Sequence, residues 1–311
     1  MIYDIVAVGA SLIDLVALVE AFPSSDDEVY VPKLRIEFGG SAANTAVALA
    51  RLGLKTAFLG KVGADFFGES IINKFREEKV DTTLITRSKT IPTGICFIVV
   101  DPRGDRRMFA FSGAANDLSL EEFPVDKIMG KCKILYLASL ENIAFLSRLS
   151  EAARKSRLKV ALNPGALIAN QGLDKAYPVI MNTDIYISSM NEAHRLFGTE
   201  NLEELRNKIL SIGPSTIAIT LGSKGCFVAD KSSSYNIPPI KVKVKDTTGA
   251  GDAFTAGFLA ATISGKPLAE AGYTGSAAAA FKIREIGARN GLPTIKQLDE
   301  FIHSLRGNLA R

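Results

Sequence analysis

The chain has 311 residues, 47% of them hydrophobic and 23% charged, and its 37 basic and 33 acidic side chains leave a net charge of +4. These are the proportions of an ordinary globular protein with enough length for a sizeable core, in one large α/β domain or two smaller ones. No basic block interleaved with aromatics points to nucleic acid, and no apolar run reaches a membrane span. His194 and His303 are the only histidines, which argues against a histidine-centred zinc site or a Ser-His-Asp triad. Cys96, Cys132 and Cys226 are odd in number and far apart. They suit neither a metal cluster nor a disulfide framework and point to a reducing cytoplasm.

The first twenty residues are apolar but carry Asp4 and Asp14 and no basic leader, so they read as core strand and not as a signal peptide. Ile5 to Gly9 is a buried strand feeding a loop. Val29 to Phe38 alternates loosely around Pro32 and reads as an edge or protruding strand. Ser41 to Gly53 is a helix stopped by its glycine, Thr56 to Gly60 a strand, and Phe66 to Glu78 a helix. Ile91 to Val100 and Arg106 to Phe111 flank a turn-rich Asp101–Asp105 segment and read as a hairpin.

From Ile134, strands near 134–138, 158–162, 184–187 and 215–220 alternate with helices near 142–156, 174–181, 189–197 and 201–211. Gly225 to Asp230 and Ile240 to Lys245 read as further strands around a loop at Ser232–Ser234, and helices follow near 252–263, 267–283 and 294–305. Such alternation implies one α/β unit over residues 1–311, a mainly parallel sheet covered by helices on both faces. The strands near 29–38 and 91–111 break the alternation and read as an inserted lid.

The chemistry concentrates in Asp246 to Leu259, DTTGAGDAFTAGFL. A turn containing Gly249 and Gly251 leads into an amphipathic helix that opens at or just before Asp252. Free N–H groups at a helix start, reinforced by the helix dipole, make an anion site. Gly249, Ala250 and Gly251 therefore offer amides to a phosphate or a developing oxyanion. Asp252 is a carboxylate placed where an anion should bind. It reads as a simple N-cap or as a general base beside an oxyanion hole.

A second constellation is Phe38-Gly39-Gly40-Ser41-Ala42-Ala43-Asn44, a glycine pair opening a helix. Ser41 can be its N-cap, while Gly39 and Gly40 leave an open approach beside the Asn44 amide. Asp14 lies just past the first strand, where acceptor sites of open α/β sheets gather, and is otherwise a turn residue. A third feature, Thr220-Leu221-Gly222-Ser223-Lys224-Gly225, is a Gly-x-x-Gly turn after a strand. Neither a GxxxxGK[ST] loop nor a GxGxxG fingerprint is present.

Residues 246–254 resemble the C-terminal signature of the ribokinase-like (PfkB) carbohydrate kinases, and residues 38–46 resemble their N-terminal signature. The two lie about two hundred residues apart in the family's order. The resemblance implies a ribokinase-like three-layer α/β/α fold with a small β lid. It also implies transfer of the γ-phosphoryl group of ATP to a hydroxymethyl group, with Asp252 as base and the Gly249–Gly251 amides as anion hole. Asp14, Gly39, Gly40 and Asn44 then hold the acceptor. Glu141 resembles a second acidic position near the phosphates and is grouped with them, although a helix-start Glu is the plain alternative. Thr220, Gly222, Gly225 and Thr248 would lie against ATP in an open groove.

Glu192 matches the acidic end of the family's Asn-x-x-Glu motif and would hold Mg²⁺ through water, but Ser189 stands where the family has Asn. Asp246 and the Thr248 carbonyl, with the loop near Gly287 to Gly291, resemble a monovalent cation (K⁺) site. The acceptor reads as a free sugar, with a nucleoside as the alternative. A non-catalytic sugar or nucleotide sensor is the reading from another class. The resemblance further implies a homodimer through the lid, which Val29, Val31, Leu34 and Ile36 would suit.

Overall fold

The computed structural model describes residues 2–123 and 125–309. The chain opens with β1 (Tyr3–Val8), β2 (Leu12–Leu18), β3 (Lys33–Gly39), α1 (Ser41–Arg51), β4 (Thr56–Gly63) and α2 (Phe66–Glu77). It continues through β5 (Ile85–Ser88), β6 (Ile95–Val100), β7 (Arg106–Phe111), α3 (Val125–Ile128), β8 (Cys132–Ala138), α4 (Ile143–Lys155) and β9 (Lys159–Asn163). Next come α5 (Gly165–Ala169), α6 (Leu173–Ile180), β10 (Ile185–Ser189), α7 (Met190–Phe197), α8 (Leu202–Ile212) and β11 (Thr216–Thr220). Last are β12 (Cys226–Asp230), β13 (Ser234–Ile237), α9 (Ala250–Ile263), α10 (Leu268–Lys282) and α11 (Ile295–Leu309).

Among the described residues, nine strands form the central sheet in the order β13-β12-β11-β10-β9-β8-β1-β4-β5, parallel except at β11/β12 and β12/β13. Alternate side chains feed opposite cores. Ile5 and Ala7 of β1 join a cluster with Phe58, Ala46, Phe258 and Ala278, while Val6 and Val8 join Leu137, Leu146, Ile180 and Ile209. This is a three-layer α/β/α arrangement. Four strands, β3-β2-β6-β7, make a separate small sheet.

Three sequence expectations are corrected here. Asp14 is no turn residue: it sits within β2, paired with Glu37 on β3 and Cys96 on β6, so the small sheet includes residues 12–18 as well. Ile240 to Lys245 alternates like a strand but forms none. The sheet ends at β13, and Pro238 and Pro239 remove backbone donors where pairing would begin. The helix after Gly249 is not amphipathic: seven consecutive residues, Ala253 to Leu259, are buried. Packing between α1 and α10 buries it on all sides.

That packing depends on missing side chains. A Cβ on Gly257 would stand 2.9 Å from the Thr274 carbonyl, and one on Gly275 would stand 2.9 Å from the Phe254 carbonyl. We expect Gly257→Ala to destabilise the protein by about 1–3 kcal/mol in urea unfolding, although alanine is the better helix former, because the obstacle is backbone.

Candidate active site

Two helix N-termini meet at one carboxylate. Gly40, with φ 96°, is the N-cap of α1, so Ser41 does not cap that helix. A Cβ on Gly40 would come within 2.3 Å of the Ala10 carbonyl, and one on Gly39 within 2.4 Å of the Asp14 carboxylate. The glycine pair is thus needed for chain approach as well as for the turn. Ser41 and Asn44 stand three positions apart on one helix face. Ser41 Oγ donates to Asp252 Oδ1 at 2.6 Å, and Asn44 Nδ2 donates to Asp252 Oδ2 at 2.9 Å.

Asp252 is likewise no N-cap. That position is Gly249, with φ 78°, packed so that a Cβ would lie 2.6 Å from the Ala288 carbonyl. Of the expected amides, Ala250 N–H is already given to the Thr247 carbonyl at 3.1 Å. Gly251 and Asp252 hold the next positions of the first turn, where an α-helix has no carbonyl to offer, and Gly251 is exposed with open space around its Cα. The amides this turn leaves free are therefore those of Gly251 and Asp252. Burial raises the Asp252 pKa and Glu192 adds to that, while Ser41, Asn44 and Arg289 oppose it.

A cavity of about 240 Å³ opens at Asp252 and is lined by Gly251, Glu192, Ser139, Asn163, Ser189 and Thr220, among others. Its strand-borne residues come from the carboxyl ends of β9, β10 and β11, with Ser139 just past β8, the expected side of an open α/β sheet. Thr220 and Gly251 also line a second cavity of about 480 Å³, walled by Gly222, Gly225, Ile240, Val242, Val244 and Phe254. The stretch misread as a strand is thus a pocket wall. A larger hollow of about 560 Å³ beside Arg51 and Glu78 touches, of the predicted residues, only Asn290 and Gly291 at the end of the expected cation loop.

A family description, pfkB family carbohydrate kinase, matches residues 3–295. The chain belongs to that family. It is 33% identical over 302 residues to a ribokinase of Haemophilus influenzae, covering 94% of this chain and 96% of the relative. It is 28% identical to a nucleoside kinase of Methanocaldococcus jannaschii, over 97% of each. A ribokinase structure from Thermotoga maritima superposes with a TM-score of 0.86 at 28% identity, covering 97% of this chain and 99% of that one. As a carbohydrate kinase, the protein is an enzyme that phosphorylates an alcohol group.

The remaining predicted residues of this pfkB kinase fall in three places. Asp14 faces inward from the small sheet, and its pKa is pushed up to about 6, first by burial and then by Glu37, with Arg289 opposing. Glu141 is exposed, accepts from Ser112 Oγ at 3.2 Å and does not line the Asp252 cavity. Thr248 turns away from the larger cavity, whose wall takes Thr247 instead, and donates N–H and Oγ1 to Asp246 Oδ1 at 2.9 and 2.7 Å. The Ser189 substitution has a local reason. Ser189 and Glu192 form the capping box of α7, with Ser189 N–H donating to Glu192 Oε2 at 2.8 Å and Glu192 N–H to Ser189 Oγ at 3.3 Å.

Sequence reading missed Arg289. It is buried, donates Nε to Asn44 Oδ1 at 2.8 Å, and lies over the Phe38 and Phe75 rings. Burial lowers its pKa to about 10, which leaves it charged, and Glu78, Asp14 and Asp252 support that charge. By taking Asn44 Oδ1 it fixes the amide so that Nδ2 faces Asp252. Within Gly287-Ala288-Arg289-Asn290-Gly291 nothing local marks this role, because its partner is 245 residues away.

A raised carboxyl pKa has a definite stability sign. Below the ordinary value of about 4, Asp14 is protonated whether folded or unfolded; above about 6 it is ionised in both, and the folded state bears the full cost. Asp14→Asn should therefore raise stability at pH 7 by about 1–2 kcal/mol, with the gain fading toward pH 4. Thermal unfolding across that range measures it.

Proposed function

We propose that the enzyme transfers the γ-phosphoryl group of ATP to a hydroxymethyl group of a free sugar. The observation that carries this reading is the place of Asp252: on the first turn of α9, where the two cavities share Gly251 and Thr220, and held by two donors from α1. ATP extends its base and ribose into the 480 Å³ cavity past Gly222 and Gly225. Its γ-phosphoryl group meets the Gly251 and Asp252 amides. Asp14, Gly39, Gly40 and Asn44 orient the acceptor, and Asp252 takes its proton as the hydroxyl attacks in line. Glu141, through Ser112, steadies the join between the body and the small sheet, which acts as a lid against water.

The residues fit a magnesium ion held mainly by phosphates and water. Glu192 lines the cavity, but among the described residues no cluster of three acidic, histidine or cysteine side chains could cage a metal. Mg²⁺, when bound, neutralises charge on the transferring group.

Strand register favours a sugar over a nucleoside. Asp14, Cys96 and Ala110 are cross-strand partners on one face, whereas Leu15, Ile36, Phe97 and Phe109 share the other. The aromatic residues that could stack on a nucleobase therefore lie on the face away from Asp14. Exposed Leu34, Ile36, Phe97, Phe109 and Phe111 instead form an outer apolar face suited to a second copy of the chain. No described helix is long and apolar enough to cross a membrane, and the buried, unpaired Cys96, Cys132 and Cys226 suit a reducing cytoplasm.

ADP release should respond to ribose- or fructose-like sugars more than to nucleosides. Asp252→Asn should lower turnover by about 10²–10⁴-fold while leaving the melting temperature close to that of the wild type; near-normal turnover would remove the assigned base. Light scattering should give twice the chain mass, reduced to a single chain by Phe109→Asp.

A further inference from the structure

Lys282 ends α10 and is fully buried. A lysine is almost never buried whole unless its charge is matched. Its Nζ donates to the carbonyl oxygens of Asp246 at 3.3 Å and Glu285 at 3.4 Å, and Asp246, Asp252 and Glu37 are the acidic groups that act on it. The ammonium therefore lies at the carbonyl end of α10, where the helix dipole favours positive charge. Lys245 and Asp246 N–H groups both reach the Ile283 carbonyl, at 2.9 and 3.2 Å, which binds the segment entering the Thr247–Asp252 turn to that same helix end.

This is the junction at which the family resemblance implies a monovalent cation, between Asp246, Thr248 and the loop near Gly287 to Gly291. The donors here do not fit one. Asp246 Oδ1 accepts from Thr248 N–H and Oγ1, Oδ2 accepts from Gly287 N–H at 2.8 Å, and the neighbouring carbonyls already hold an ammonium. An ammonium group matches a potassium ion in charge, and both favour carbonyl oxygens. A free cation at the same place would be repelled by Lys282.

We infer that Lys282 is a built-in substitute for the monovalent cation: its side chain supplies the positive charge that holds Asp246 and the anion-binding turn, so the enzyme works without potassium. The inference rests on the kinase reading of that turn, yet one of its tests does not need turnover.

The full-length protein is melted, and its ADP release measured, in KCl and in tetramethylammonium chloride at equal ionic strength. The wild type should show the same melting temperature in both and less than about a twofold change in kcat/KM, since a ligand that does not bind the folded state cannot stabilise it. Lys282→Ala, which opens space at the carbonyls, should lose at least about tenfold in tetramethylammonium and recover with K⁺, its melting temperature rising with K⁺ as well. Lys282→Met, which fills the space without charge, should be impaired in both salts. A wild-type melting temperature or turnover that rises with K⁺, or a Lys282→Ala enzyme indifferent to the salt, would overturn the inference. Should Lys282→Ala not fold, the wild-type melting curves and Lys282→Met decide. If no acceptor is phosphorylated, the kinase reading fails on its own while the melting curves still judge the cation.

Discussion

The structure turns on one carboxylate held between two helix starts. Asp252 accepts from Ser41 and Asn44, which lie 211 and 208 residues earlier in the chain. A buried carboxylate is stable only with such donors, and these donors keep it an acceptor aimed into the cavity. The contact also joins the first and last thirds of the chain. The Gly39-Gly40 turn and the Gly249–Gly251 turn can face each other only while α1 packs on α9, and α9 on α10. Gly257 and Gly275 permit that approach far from any chemistry.

Around this contact lies a compact set of charges. Arg289 orients Asn44 and offsets Asp14 and Asp252, Lys282 faces Asp246, and Glu37 crowds Asp14. In a site of low dielectric each charge sets the protonation of its neighbours. Asp14 carries an energetic cost: a carboxylate with its pKa raised by burial destabilises the fold. Strand alternation puts Asp14, Cys96 and Ala110 of the small sheet on one face and Leu15, Phe97 and Phe109 on the other.

Local chemistry was legible wherever local geometry suffices. Gly249 needs φ 78° and Gly40 φ 96°, and both read as turn glycines from sequence. The βα alternation from β8 onward read nearly to the residue because buried parallel strands are short apolar runs between amphipathic helices. Errors came where local pattern and tertiary setting disagree. Ile240–Lys245 has a strand's period but no neighbour to pair with, and β2, which carries Asp14, reads as the loop after β1 because it follows almost at once. Ser189 departs from the family's motif and is half of a capping box, a role the sequence reading did not name.

By itself the sequence determined the α/β class and the two glycine turns, because each depends on properties that a few adjacent residues carry, period and backbone freedom, while the reaction class came from the resemblance of two short signatures to a known family. Only the tertiary structure decided which amides remain free, that Ser41 serves Asp252 and not its own helix, and that Arg289 and Lys282 are buried against Asn44 and Asp246. Those outcomes depend on distances between segments far apart in the chain, and on burial that turns ordinary side chains into partners. Neither quantity is written in any local stretch of residues.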